Sequence, residues 1–136
     1  MNFLFFGKFK TYVMKTENII KDKSFEFAKQ IVHLYLYLKE KRKIYAIADQ
    51  ILRSGTSIGA NIEEADAAQT KKDFYAKLSI SYKEAFETRY WLRLIRDTKL
   101  AAINEVNPLL SDLEEIIRIL SKILTTTRKS LGYAKR

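Results

Sequence analysis

Few side chains in this sequence could carry covalent or metal chemistry. Cysteine is absent and His33 is the single histidine. Disulfides, thiolate nucleophiles and multi-histidine metal sites are therefore excluded. The densest acidic group is Glu63, Glu64 and Asp66. Carboxylate metal sites in helical bundles set Glu-x-x-His pairs on facing helices. No acidic residue here is followed three positions later by histidine, and Glu84 and Glu87 share that spacing without one. The acidic group reads instead as a solvated face or a set of ion-pair partners. His33 stands among large apolar residues and reads as a core-edge or interface side chain. Ser54, Ser57, Ser79 and Ser81 lack a partner base, and no glycine-rich phosphate loop occurs. The expectation is a protein with no enzymatic activity, cofactor or metal.

Binding chemistry has more to work with. Lys and Arg number 25 against 16 Asp and Glu, a net charge of +9 that suits a polyanion. Arg89, Arg93 and Arg96 recur at helical spacing and line one face, and Lys71, Lys72 and Lys77 extend positive charge toward the start of the same segment. Guanidinium groups on a fixed rod can grip phosphates bidentately. Such contacts are insensitive to sequence and sensitive to salt. They fit RNA and DNA alike. The competing reading is a surface helix whose cations pair with neighbours such as Glu84 and Glu87. Tyr75, Tyr82, Tyr90 and Trp91 could stack on bases, but aromatics on an apolar helix more often fill a core or an interface.

These groups need elements to hold them, and the hydropathy pattern supplies four. A first helix is expected from an N-cap at Asp22 or Ser24 to about Lys41. Its inner stripe is Ala28, Ile31, Val32, Tyr35 and Leu38, with Phe27, Leu34 and Tyr37 off it. The basic stretch 39–43 reads as a solvated helix end and turn. A second helix is expected over 46–69, with apolar Ile47, Ile51, Ile58, Ile62 and Ala65. Gly55 and Gly59 inside it cost about 1 kcal/mol each relative to Ala, which is tolerable where another helix comes close. Thr70 and Asp73 resemble a capping box that opens a third helix over 71–97. Its apolar residues fall on two sides, Phe74, Leu78, Tyr82, Ala85 and Leu92 on one, Ile80, Trp91, Leu94 and Ile95 largely on the other. Asn107 and Pro108 read as N-cap and first position of a fourth helix, followed by a 3-4 repeat from Leu109 to Leu124.

Four helices with short connections predict an all-α, antiparallel, up-down-up-down four-helix bundle over residues 22–127. Residues 1–21 read as an N-terminal arm whose order the sequence leaves open. Residues 128–136 read as a basic tail, with Gly132 as a stop signal. Charge is spread unevenly, +6 over 1–44, −3 over 45–70, +4 over 71–103 and +2 over 104–136. Apolar residues on two sides of the first and third helices exceed the needs of one core. They predict a homo-oligomer with Phe27, Leu34, Tyr37, Trp91 and Leu94 at its contacts. No apolar run reaches membrane-spanning length, and the apolar start lacks the charge order and cleavage site of a signal peptide. A cytoplasmic location without membrane contact is therefore expected.

The second and third segments carry a resemblance. The run Gln50-Ile51-Leu52-Arg53-Ser54-Gly55-Thr56-Ser57-Ile58-Gly59-Ala60-Asn61-Ile62-Glu63-Glu64 resembles the "QI-RS--SI-ANI-E" signature of the four-helix-bundle proteins encoded in 23S rRNA intervening sequences. Lys72-Asp73-Phe74 with Leu78 and Ser79-Ile80-Ser81, then Glu84 with Glu87-Thr88-Arg89-Tyr90-Trp91-Leu92, are similar to that family's "K-F---L-IA" and "E--ET-YWL" segments. The likeness covers residues 24–125. Ala65 stands where the family often has Gly, and Ser81-Tyr82-Lys83 where it often has small residues. The resemblance implies a bundle assembled as a ring-like homopentamer, with no known enzymatic activity. A related group, the accessory proteins of diversity-generating retroelements, implies nucleic-acid binding and a reverse-transcriptase partner. The function expected is a nucleic-acid-binding accessory module. The alternative is a structural oligomer that binds a protein partner without touching nucleic acid.

Overall fold

The computed structural model describes residues 3–133, the side chains of 3–15 and 17 aside, and these residues form four helices and no strand. Helix α1 spans Phe3–Leu36 and runs into a π-helical turn, Tyr37–Lys41. Helix α2 spans Ala46–Asp66, α3 Lys71–Asp97 and α4 Ile103–Leu131. Of the expected arm and tail, residues 1–2 and 134–136 lie outside the described residues.

Helix α1 differs most from expectation. It continues unbroken through Asp22 and Ser24, so neither caps a helix start. The Ser24 hydroxyl instead donates to the Lys21 carbonyl at 3.1 Å, one turn back. The buried positions of α1 and its π-turn are Ile20, Ser24, Phe27, Ile31, Leu34 and Leu38. Their alternating spacing of four and three is a 3.5-residue seam, the repeat that keeps one helix face on its neighbours. The expected stripe shares only Ile31 and Leu38 with this seam, and Val32 is 37% exposed. Phe27 at 2% exposure and Leu34 at 7% therefore sit in the bundle core. Both pack mainly in the core, with only an edge of each open to a groove between α1 and α4.

Helix α2 packs on both neighbours through its small residues. A Cβ built on Gly55 would lie 2.8 Å from Cγ2 of Ile31, so this glycine sets how closely α2 approaches α1. On the other side, the Ser81 hydroxyl of α3 donates to the Ile58 carbonyl at 2.8 Å. Helix α2 ends at Asp66, three residues short of the expected end, and Thr70 then caps α3 by accepting from the Asp73 amide at 3.0 Å. Along α3 the core positions are Phe74, Leu78, Ser81, Ala85, Thr88, Leu92 and Ile95. Ile95 thus belongs to the core side, while Tyr82 is half-buried.

Helix α4 starts at Ile103, with Ala102 in the N-cap position. Pro108 lies inside the helix, which corrects its placement as first residue. The ring removes the donor that would have reached the Asn104 carbonyl. Asn104 and Pro108 are both exposed, so water can satisfy that carbonyl. Leu109, Leu113, Ile116, Ile117, Leu120, Ile123 and Leu124 are buried, the repeat read from the sequence. The helix runs past residue 128 and closes at Gly132, whose φ of 74° is the left-handed cap conformation. Among the described residues, no helix is long and apolar enough to cross a membrane.

Candidate nucleic-acid interface

Helix α3 scatters the six cations expected to meet a polyanion. Lys71 is 2% exposed, and its Nζ donates to the carbonyl and hydroxyl oxygens of Ser130 in α4. Burial pushes its ammonium pKa down. A cation held there ties α3 to α4 and does not reach a phosphate, which removes Lys71 from the candidate surface. Lys77 pairs with Glu64 at 3.1 Å. The Arg89 guanidinium pairs with Glu114 at 3.0 Å and lies 4.5 Å over the Phe86 ring. Arg96 donates to Asp97 at 2.8 Å and to the Asn107 side-chain oxygen at 3.4 Å. That hydrogen bond raises the Arg96 pKa and lowers that of Asp97. Lys72 and Arg93 are exposed and form no ion pair among the described residues.

The remaining interface candidates lie at or near the surface. Tyr37 is 41% exposed, and Trp91 and Leu94 are half-buried. The Trp91 indole N–H is buried without a hydrogen-bond partner, and its ring meets Tyr90 edge-on at 5.0 Å. Tyr82 meets Phe86 in the same way at 4.9 Å.

A different cluster of cations stands at the turns. Lys39, Lys41, Arg42 and Lys43 lie on the π-turn and the loop after it, and Lys99 lies on the loop between α3 and α4. Arg42 joins the two loops by donating to the Leu100 carbonyl at 3.1 Å. Lys43 and Lys99 both adopt φ of 60°. Each ends its helix with the next amide reaching back, Ile44 to the Leu38 carbonyl at 2.9 Å across the wider π-turn and Leu100 to the Ile95 carbonyl at 3.0 Å in the ordinary α-helical closure. The left-handed residue then points into solvent, and here it is lysine rather than glycine. Lys39 donates to the Tyr35 hydroxyl at 2.9 Å, a contact that raises the lysine pKa. All five are exposed, and none forms an ion pair among the described residues. The stretch 39–43 is visible in sequence; its junction with Lys99, 56 positions on from Lys43, is not. Among the described residues there is also no group of three or more side chains suited to hold a metal.

Residues 16–122 match the model of the 23S rRNA-intervening sequence protein family. The chain belongs to that family. A solved neighbour is the crystal structure of a protein with unknown function from the S23 ribosomal protein family of Bacteroides thetaiotaomicron VPI-5482. It is 46% identical, superposes with a TM-score of 0.79, and the alignment covers 81% of this chain and 98% of that one. No curated protein matches the chain. The stretch that resembles the family signature lies on α2, where Ile51, Ser54, Gly55, Ile58 and Ile62 are buried. Those residues build the core. Membership in the 23S rRNA-intervening sequence family thus accounts for the fold and leaves the function to the surface.

Proposed function

We propose that this chain is a non-enzymatic accessory protein of the cytoplasm that binds the phosphate backbone of RNA or DNA. One observation carries the reading: Lys39, Lys41, Arg42, Lys43 and Lys99 gather from the π-turn and two loops with no carboxylate paired to any of them among the described residues. Arg93 on α3, six positions before Lys99 in sequence, is likewise exposed without an ion pair among the described residues. On α3, by contrast, Glu64, Glu114 and Asp97 already occupy Lys77, Arg89 and Arg96. An antiparallel up-down-up-down bundle is supported by the order of pairs between α2 and α3, where Glu64 meets Lys77 and Arg53 meets Glu87. Self-association is supported by exposed apolar residues such as Phe25, Leu36 and Tyr37, and a ring-like pentamer by the family resemblance. Each ring would repeat the basic end five times, so weak contacts would add through multivalency.

Fluorescence anisotropy with labelled RNA and DNA hairpins tests this. Changing Lys41, Arg42, Lys43 and Lys99 together to Gln should weaken binding at least tenfold in low salt. It should also reduce the log–log salt slope by about 3.6 on duplex DNA if each cation meets one phosphate. Changing Arg89 and Arg96 to Gln should alter affinity less than threefold. No binding in low salt, or binding indifferent to the fourfold change, refutes the assignment and favours a protein partner.

A further inference from the structure

One groove of this basic protein is lined by carboxylates. It lies between α1 and α4, with a volume of about 910 Å³. Its floor is apolar, formed by Phe27 and Leu34 from α1 and by Leu109 and Ile116 from α4. Carboxylates stand along both rims, Asp22 and Glu26 on α1, Glu105, Asp112 and Glu115 on α4, against the single lysine Lys23. Lys23 pairs with Glu115 at 3.0 Å, and Glu26 pairs with Lys29. Asp22, Glu105 and Asp112 have no ion pair among the described residues. An apolar floor between two acidic rims fits an amphipathic helix whose apolar stripe has cations on both edges.

The chain itself contains such a segment. Residues 3–15 hold no acidic residue and include Lys8, Lys10 and Lys15. The backbone there is the first part of α1. On a helical wheel of 100° per residue, Phe5, Phe6, Phe9, Tyr12 and Val13 share one stripe. Lys8 and Lys15 fall on one edge of it and Lys10 on the other. At 1.5 Å per residue the segment is about 18 Å long, and the α1 rim from Asp22 to Tyr37 about 22 Å. It cannot reach its own groove, because it leads straight into Asp22 along one unbroken helix. It also lies beyond the last residue of α2, Asp66, which Lys21 meets at 2.9 Å.

We propose that residues 3–15 of a second copy of this chain occupy the α1–α4 groove, with Lys8, Lys10 and Lys15 against its carboxylates and the phenylalanines on its floor. The proposal rests on the self-association reading and is independent of nucleic acid. It gives the oligomer a heterologous contact that closes by symmetry, either reciprocally in a pair or around a ring.

The absence of cysteine makes a crosslinking test clean. Thr11→Cys and Gln30→Cys proteins, one of them tagged, are mixed without nucleic acid and treated with a bis-maleimide about 10 Å long. Covalent heterodimer should exceed that from a Thr11→Cys and Lys83→Cys mixture at least tenfold. Adding Glu26→Lys and Asp112→Lys to the Gln30→Cys protein should return the yield to the control. Adding Lys8→Glu, Lys10→Glu and Lys15→Glu to the Thr11→Cys protein should then restore it. Yield equal to the control, or yield unmoved by the groove charges, overturns the proposal. Sedimentation of the unmodified protein separates the two readings. An oligomer without the crosslink sinks only the groove assignment, whereas a monomer at micromolar concentration sinks self-association as well.

Discussion

Gly55 and Gly59 sit one turn apart on α2, and the structure assigns them opposite responses to the same substitution. A methyl group on Gly55 would lie 2.8 Å from Cγ2, 2.9 Å from Cγ1 and 3.3 Å from Cβ of Ile31. Ile31 is fully buried and β-branched, so it has no second rotamer to retreat into. The contact must open by about 0.7 Å or more to reach ordinary carbon separation of about 3.5–4.0 Å. Overpacking of this kind costs about 1–3 kcal/mol. Replacing glycine by alanine in a helix returns about 1 kcal/mol. Two contacts under 3.0 Å place that cost in the upper half of its range, so the net expectation for Gly55→Ala is a loss of about 1–2 kcal/mol. At Gly59 the nearest atom is the Ser24 hydroxyl at 3.3 Å, and the nearest backbone atom lies at 3.5 Å. That contact asks for a few tenths of an ångström from a hydroxyl. Gly59→Ala should therefore gain about 0.5–1 kcal/mol from helix propensity.

Urea unfolding followed at 222 nm measures both variants, at one protein concentration because an oligomer's stability depends on it. With a urea slope of about 2 kcal/mol/M, the two midpoints should stand about 1 M apart, on either side of the parent. A Gly55→Ala midpoint at or above the parent would mean that α1 and α2 are not in the close contact described. Equal shifts in the two variants would mean that propensity alone governs both sites.

Phe27→Ala and Leu34→Ala should each cost about 2–5 kcal/mol, because both side chains are core. Tyr37→Ala should stay within about 0.5 kcal/mol in dilute protein, and a small loss at Phe27 would return that residue to the surface. Lys71 carries a lowered pKa in the folded chain, so between that value and its ordinary 10.5 the unfolded chain holds more protons. Stability of the parent relative to Lys71→Met should therefore rise as pH increases through that window, and a difference flat from pH 7 to 10.5 would show the ammonium to be well solvated. Lys99→Gly should raise stability by about 1 kcal/mol at the left-handed position while weakening nucleic-acid binding, a pairing that calorimetry and anisotropy can check together.

Helix α4 was legible because its apolar residues keep one period while polar residues fill the other faces. Pro108 misplaced only its start. Proline favours the first helical position, but Val106, before Pro108, is buried in this helix and needs it to begin earlier. Helix α1 was harder because apolar residues occur on several of its faces. Two stripes, both at legal helical spacing, share Ile31 and Leu38. The sequence reading excluded the stripe through Phe27 and Leu34, which also carries a serine. In sequence Ser24 reads as a cap because a hydroxyl at a helix start is a strong signal. In the fold that hydroxyl satisfies itself on Lys21, which lets a serine sit at 1% exposure inside the seam. Of the five side chains to which the sequence assigns its extra apolar surface, Phe27 and Leu34 pack in the core, while Tyr37, Trp91 and Leu94 lie at or near the surface.

The pairing of the α3 cations is not legible in the sequence for a related reason. Charge counted along a helix takes no account of what faces it from the next one. Arg89 and Arg96 lie on one face of α3 as the spacing required, yet α4 supplies Glu114 against the first, and the neighbouring residue Asp97 holds the second. The carboxylate of Glu114 is 25 positions from Arg89, so no local rule couples them. Loops escape this neutralisation because fewer elements flank them, and two loops at one place add their charges without adding partners. A polyanion meeting this surface must displace a carboxylate at Arg89 or Arg96, whereas at Lys41, Lys43 and Lys99 it displaces only water and counterions. The difference favours the loop end even though α3 carries more cations. Under the two proposals the contacts also separate in space: phosphate at the turns, and the carboxylates of the α1–α4 groove left to a basic helix. Nucleic acid and self-association then use different residues, and binding one should leave the other intact.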